Sequence, residues 1–326
     1  MFYRYRRSLI GAAVLLATGL PGAAQAQTYP DKPITLIVPF GAGGSADVYG
    51  RFLAQRLQKE FGQTVVVENR PGAGAVVGTQ HVAKAAPDGY TLLLISNTHT
   101  VNESLIPNKP YQLMRDFTPV APINDSDLVL VVKPALAANT PQELVKLARA
   151  QPGKLNYASS GTGTPYHMAG ELFKSMAGVD IVHVPYKSSG GARTDVMGGQ
   201  VDMMFDAVTT MTEVIKSGKV RAVATTGKAR SSVLPDIPTM AEAGLPDYTA
   251  GIWLGVMAPK GTPPAIVDTL NRQIGKIVAQ ADVKETWTKN GAVPLSMSPD
   301  EFGKYIDGDI VKWERIVKIS GAKPTE

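Results

Sequence analysis

"ITLIVPFGAGGSADVYGRFLAQRL", residues 34–57, sets a short apolar run against a glycine-rich turn and then an amphipathic stretch. The run is dense in Ile, Leu and Val, as expected of a strand buried on both faces. Gly41, Gly43 and Gly44, followed by Ser45 and Asp47, leave backbone N–H groups bare where the helix begins. A helix start carries partial positive charge and unpaired donors, so it attracts anions. Strand, anion-ready turn and helix form the opening unit of an α/β fold.

The unit recurs along the chain. TVVVENR, YTLLLISN, DLVLVVKP, KLNYASS, DIVHVPY, VDMMFDAV and VRAVATTG read as strands, with helical patterns between most of them. This alternation predicts mostly parallel sheets flanked by helices. NYASSGTGTPYHMAG (156–170) and VPYKSSGGARTDVMGG (184–199) repeat the strand, small-residue turn and helix start. NRPGAGAVVGT (69–79) and ISNTHTVNESL (95–105) are weaker versions. Each is expected to place uncapped N–H groups and small hydroxyls at the carboxyl end of a strand, the edge where open α/β sheets bind ligands.

A longer echo sets the domain organisation. LVLVVKPALAANTPQELVKLARAQ (128–151) resembles WLGVMAPKGTPPAIVDTLNRQI (253–274): an apolar run, a Pro, a loop, then a second Pro at a helix's first turn. Read as equivalent, they take the chain into a second lobe near 125 and back near 250. The expectation is lobe 1 from 27–125 and 250–326, lobe 2 from 126–249, and two crossing strands as a hinge. Ligands favour the cleft between such lobes.

Residues 1–26 read as a secretory signal. Arg4, Arg6 and Arg7 precede SLIGAAVLLATGL, and Ala24-Gln25-Ala26 fits a small-x-small cleavage site after Ala26. The apolar core is shorter than the roughly 18 residues of a membrane span. Arg6-Arg7 leaves the Sec and twin-arginine routes both open. The mature chain is expected in the periplasm. Losing this segment removes three Arg and no acid, so net charge falls from +5 to +2. With no basic cluster elsewhere, nucleic acid is not an expected partner. The chain has no Cys, which excludes disulfides and thiolate metal sites.

Enzyme signatures are weak. Gly41-x-Gly43-x-x-Ala46, with Glu68 after the next strand, imitates a dinucleotide fingerprint, but an exported protein meets little nicotinamide cofactor. No P-loop occurs. Gly43-Gly44-Ser45-Ala46 has Asp47 where a nucleophile elbow needs glycine. The four histidines lack metal-ligand spacing, and nothing in the sequence unites Ser45, His167 and Asp206 as a triad. No catalytic residue, metal or cofactor is expected.

A small carboxylate suits these loops. A hydrogen bond to a charged group contributes roughly 1.5–3 kcal/mol and a helix terminus about 0.3–1. A few together reach the roughly 8 kcal/mol of micromolar binding after ordering costs. Cations in the loops are few, so backbone dipoles and hydroxyls would meet the charge, favouring a carboxylate over a phosphate ester.

YPDKPITLIVPFGAGGSAD, VENRPGAGAVVGT, APDGYTLLL, YASSGTGTPYHMAGELF, VPYKSSGGA and LPDIPTMAEAGLPDY resemble the Bug or TctC-like solute-binding proteins of tripartite tricarboxylate transporters. The resemblance spans nearly the whole mature chain. It implies a two-lobed periplasmic binding protein, type II-like, that closes on an organic acid and delivers it to membrane permease subunits. By family correspondence the first-lobe site is Phe40, Gly41, Ala42, Gly43, Gly44, Ser45, Asp47, Ala73 and Gly74. The second-lobe site is Ser159, Ser160, Gly161, Thr162, Thr164 and His167.

Further residues carry two readings. Asp47 either orients its loop or favours the helix start as a first-turn acid. His167 either donates to an anion or sits on a helix surface. Tyr186 and Lys187 end a strand and are expected to face the cleft. Asp206 either receives a ligand donor or caps the next helix. Ser96, Asn97, Thr98 and His99 either read the ligand's distal end or serve an ordinary loop. Trp253 reads as hinge packing. The expected function is a monomeric receptor for an aliphatic or aromatic mono- or dicarboxylate, amino acids remaining open. A secreted α/β enzyme acting on a small organic acid or ester is the alternative, and a sensor module a third.

Overall fold

The structure, a computed structural model, describes residues 29–324. The expected signal peptide, 1–26, lies outside the described residues.

The chain begins with β1 (Ile34–Val38), α1 (Ser45–Phe61), β2 (Val65–Asn69), α2 (Val76–Ala83), β3 (Thr91–Ser96), α3 (Asn97–Leu105) and the single turn α4 (Leu113–Asp116). The long β4 (Phe117–Val132) leads to α5 (Pro141–Ala150), β5 (Asn156–Ser159), α6 (Pro165–Ala177), β6 (Val182–Pro185), α7 (Ser189–Met197), β7 (Met203–Ala207), α8 (Val208–Lys216) and β8 (Arg221–Thr225). Then come β9 (Gly251–Pro259), α9 (Pro264–Ala279), α10 (Ala281–Lys289), β10 (Ala292–Pro294) and α11 (Pro299–Ser320).

Local chemistry explains these elements. In α1, Ala46, Tyr49, Gly50, Leu53, Ala54 and Leu57 are buried at helical spacing, and Gly62 ends it in the left-handed region with φ 67°. Helices α5 and α9 both start with Pro in the first turn, as the longer echo anticipates. The C-terminal α11 opens with a capping box between Ser298 and Glu301.

The strands run in the order β2-β1-β3-β9-β4-β7-β5-β6, with β8 and β10 also pairing with β4. Outer strands in both halves are parallel: β1 with β2 and β3, and β5 with β6 and β7. The crossing strands β4 and β9 are antiparallel. Up to Asp127, which sits opposite Gly251, β4 belongs with β9; from Leu128 onward it pairs with β7 and β8. One strand thus serves two sheets, and the fold is that of a two-lobed periplasmic binding protein.

Thr226 ties the crossing segments together. Its hydroxyl donates to Ala250 O at 2.5 Å, while Leu128 N–H donates to that hydroxyl at 2.8 Å. One apolar cluster runs through both halves, from Leu36 and Leu53 to Phe173 and Phe205. Two others back the opposite faces, around Val129 and Met204 in one half and Trp253 and Phe302 in the other.

Candidate functional site

Four helix starts meet at one cavity between the halves. Ser45 and Ala46 begin α1, Ser96 and Thr98 lie at the start of α3, Thr164, Pro165 and Tyr166 at that of α6, and Ser188 and Ser189 at that of α7. With Phe40, Gly41, Gly44, Ser160 and Ile252 they line a space of about 320 Å³ that includes the solvent open to it. Eight of these fourteen residues carry a hydroxyl and none is charged. Each helix start contributes roughly half a positive charge. The four starts thus bring favourable ground for an anion to a lining that, among the described residues, holds no charged side chain.

The β1–α1 turn is fixed by Asp47. Its carboxylate accepts from Gly43 N–H at 3.1 Å and from Asn69 Nδ2 at 2.9 Å, and pairs with Arg51 at 2.9 Å. Asn69 also donates to the Phe40 carbonyl. Burial pushes the Asp47 carboxyl up, but the hydrogen bonds from Arg51, Gly43 and Asn69 outweigh it and hold it below the usual range. Among the described residues no side chain caps α1, whose N-cap position is Gly44. Its first-turn donors are left to the cavity.

The second half is built differently. Bare amides were expected at all three glycine-rich turns, and the structure corrects this for two. Thr164 caps α6 by accepting from His167 N–H, and Ser188 caps α7 by accepting from Gly191 N–H. A hydroxyl directly before a helix can reach its own first turn, so these termini satisfy one donor internally. Ser159 Oγ lies 2.7 Å from His183 Nε2, and His167 Nδ1 accepts from Gly163 N–H at 3.1 Å. Burial lowers both imidazoles, His167 to about 4 and His183 to about 3, the latter with a contribution from His167.

The halves touch through glycines. A Cβ on Gly41 would stand 2.6 Å from Ser188 Cβ and 2.7 Å from the Lys187 carbonyl oxygen. One on Gly74 would meet Thr162 O at 2.7 Å. Ser45 Oγ and Tyr166 OH bridge the cleft at 3.0 Å, and Tyr49 OH and Thr209 Oγ1 at 3.2 Å.

Of the residues singled out from sequence, Phe40, Gly41, Gly44, Ser45, Ser96, Thr98, Ser160 and Thr164 line this cavity. Ala73, Gly74, Gly161, Thr162, Tyr186 and Lys187 line an adjoining vestibule, which shares Phe40, Ser160 and Thr164 with it. Ala42, Gly43, Asp47, Asn97, Ser159, His167 and Asp206 line neither. Asn97 donates to Gly251 O and faces a separate groove by the hinge. Asp206 is fully buried against Arg193 at 2.8 Å; burial raises its carboxyl and Arg193 opposes the rise. Sequence reasoning did not assign Ala46, Pro165, Tyr166, Ser188, Ser189 or Ile252 to the ligand site. Both serines lie in the quoted third turn, and their place just before a helix was the available signal. Tyr166 reads as core and is indeed buried, with its hydroxyl on the cavity.

Two lobes, a hinge of crossing strands and a cleft lined by helix starts and hydroxyls define a solute-binding protein of the periplasmic type. Residues 49–322 match the family described as TctC, tripartite tricarboxylate transporter family receptor. The chain is 42% identical over 320 residues to protein BugT of Bordetella pertussis, covering 97% of this chain and 98% of the relative. Among solved structures, R. palustris Rpa4515 with adipate matches with TM-score 0.88 at 34% identity, covering 91% of this chain and 100% of the other. The periplasmic binding protein BugD matches with TM-score 0.86 at 35% identity over 90% and 99%. MatC from Rhodopseudomonas palustris with bound malate matches with TM-score 0.85 at 32% identity over 89% and 100%. The chain belongs to the tripartite tricarboxylate transporter receptor family, whose members are periplasmic solute-binding proteins rather than enzymes.

Proposed function

We propose that the chain is a periplasmic receptor that closes on a small carboxylate and hands it to a membrane permease of the tripartite tricarboxylate type. The observation carrying this reading is the convergence of four helix starts and eight hydroxyls on a cavity with no charged side chain. Adipate and malate on two structural neighbours at 34% and 32% identity support the ligand class.

In this reading one carboxylate sits against the uncapped start of α1, near Gly44 and Ser45, with Ser96 and Thr98 of α3 beside it. Ser160, Thr164, Tyr166, Ser188 and Ser189 arrive from the other half on closure. Asp47, Ser159 and His167 hold the loops, and Asp206 anchors Arg193 beneath them. The moving bodies are residues 27–125 with 250–326, against 126–249. The change of partners in β4 between Asp127 and Leu128 supports that division. The receptor works as a monomer, because each cleft is complete within one chain.

Calorimetry on protein stripped of ligand by unfolding and refolding tests the proposal. Succinate, malate, adipate, hexanoate, benzoate and terephthalate form the panel. At least one should bind with about micromolar affinity or better, with a smaller radius of gyration in solution scattering. No binding across the panel overturns it.

A further inference from the structure

The vestibule beside the main cavity has a feature that cavity lacks. Among the described residues, Lys187 is the single charged side chain lining either space. Among the described residues it enters no ion pair and is exposed. Its backbone is pressed on the other half, since the Lys187 carbonyl oxygen lies within 2.7 Å of where a Gly41 Cβ would stand. A Cβ on Gly74 would stand 2.7 Å from the Thr162 carbonyl oxygen, so the loops of the two halves also meet there. The cation thus comes from the second half and lines a vestibule whose other wall is Gly72, Ala73 and Gly74 of the first.

Phe40 lines both spaces and packs edge-on against His99, ring centroids 6.0 Å apart. It offers an apolar surface running from the uncharged cavity to the lysine. A chain of methylenes can lie along such a surface, whereas a charged group is costly there unless paired.

We propose that Lys187 holds the second carboxylate of a linear aliphatic dicarboxylate. The first carboxylate lies among the helix starts and the methylenes run past Phe40. This rests on the reading of the cleft as a carboxylate receptor and adds the ligand class. The uncharged cavity accepts either a mono- or a dicarboxylate, and Lys187 makes the difference between them. A point charge on a flexible stem also tolerates several chain lengths, as a rigid bidentate arginine would not.

The experiment compares adipate with hexanoate, which has the same chain length and one carboxylate. Wild type, Lys187→Met and Lys187→Arg are titrated by calorimetry at low and high salt. Wild type should prefer adipate by about tenfold or more, as a charged partner warrants. Lys187→Met should lose that preference, leaving hexanoate affinity within about twofold, and Lys187→Arg should keep most of it. The preference of wild type should shrink with salt, and that of Lys187→Met should not change. If Lys187→Met weakens both acids equally, or neither, the assignment is overturned while the receptor reading stands. If wild type binds hexanoate as tightly as adipate, the assignment also fails. If wild type binds no carboxylate, both readings fall together.

Discussion

Ser45 Oγ lies 3.0 Å from the Tyr166 hydroxyl, although the two residues start helices in opposite halves of the protein. Both are buried. The bond exists only while α1 and α6 face each other across the cleft, so it reports closure. Burial and the charge of Asp206 raise the Tyr166 phenol, which stays protonated and able to donate. Each single change, Ser45→Ala or Tyr166→Phe, should weaken carboxylate binding by about three- to tenfold, the scale of one net hydrogen bond. The double mutant should lose less than the sum, with a coupling of about 0.5–1.5 kcal/mol. Strict additivity would show that the two hydroxyls act apart.

Glycines in the β1–α1 turn separate closure from folding. Gly41 needs no special backbone angle, but a Cβ there would collide with Ser188 and the Lys187 carbonyl. Gly43 has φ 83° and open space around its missing Cβ. Gly41→Ala should therefore leave the melting temperature nearly unchanged and weaken binding by more than about tenfold, since only the closed form is obstructed. Gly43→Ala should do the reverse in part, costing about 1–2 kcal/mol of stability through the left-handed strain. Thermal unfolding and calorimetry on both variants check the contrast. A large stability loss in Gly41→Ala would contradict it.

Asp47 illustrates a residue whose role lies one step from the ligand. Replacing it with Ala removes the acceptor for Gly43 N–H and Asn69 and the partner of Arg51. The β1–α1 turn then loses its brace, at about 1–3 kcal/mol for the buried bonds. Asp47→Ala should weaken binding of every carboxylate by a common factor and lower stability. A change in preference among ligands would place Asp47 in the cavity instead.

Much of this architecture was legible because buried parallel strands advertise themselves as Val, Ile and Leu runs followed by small-residue turns. The first half of β4 was not. Its Phe117–Asp127 stretch holds Pro119, Pro122, Asn124, Asp125 and Ser126, and no part of it before Asp127 reads as strand. Proline lacks the ladder donor, and the register shifts beside both prolines. Tertiary pairing with β9 overrides the local sequence there. In the site, the turns were legible and the directions of side chains were not. Asp206 turns to Arg193, and His167 to its own loop, because burying either without a partner would be costly.

Acid should lower the stability of the fold while a carboxylate ligand is still charged. Burial lowers His99 to about 4, His167 to about 4 and His183 to about 3, from an ordinary 6.5. Two of the rings have a partner suited to their neutral form: Ser96 N–H donates to His99 Nδ1, and Gly163 N–H to His167 Nδ1. Between pH 6.5 and 4 the unfolded chain takes up these protons and the folded chain does not. Stability is therefore complete above about 6.5 and falls with pH, by up to about 1.4 kcal/mol per unit for each histidine. Asp127 works the other way: burial and Asp125 push it to about 6, so the folded form binds its proton first and offsets part of the loss. Ring-proton NMR should show these three imidazoles neutral at pH 5.5, and urea unfolding should show stability declining from pH 6.5 to 4.5. Titration of any of the three near 6.5 in the folded protein would mean that its ring is solvated, and that the loop it braces is open.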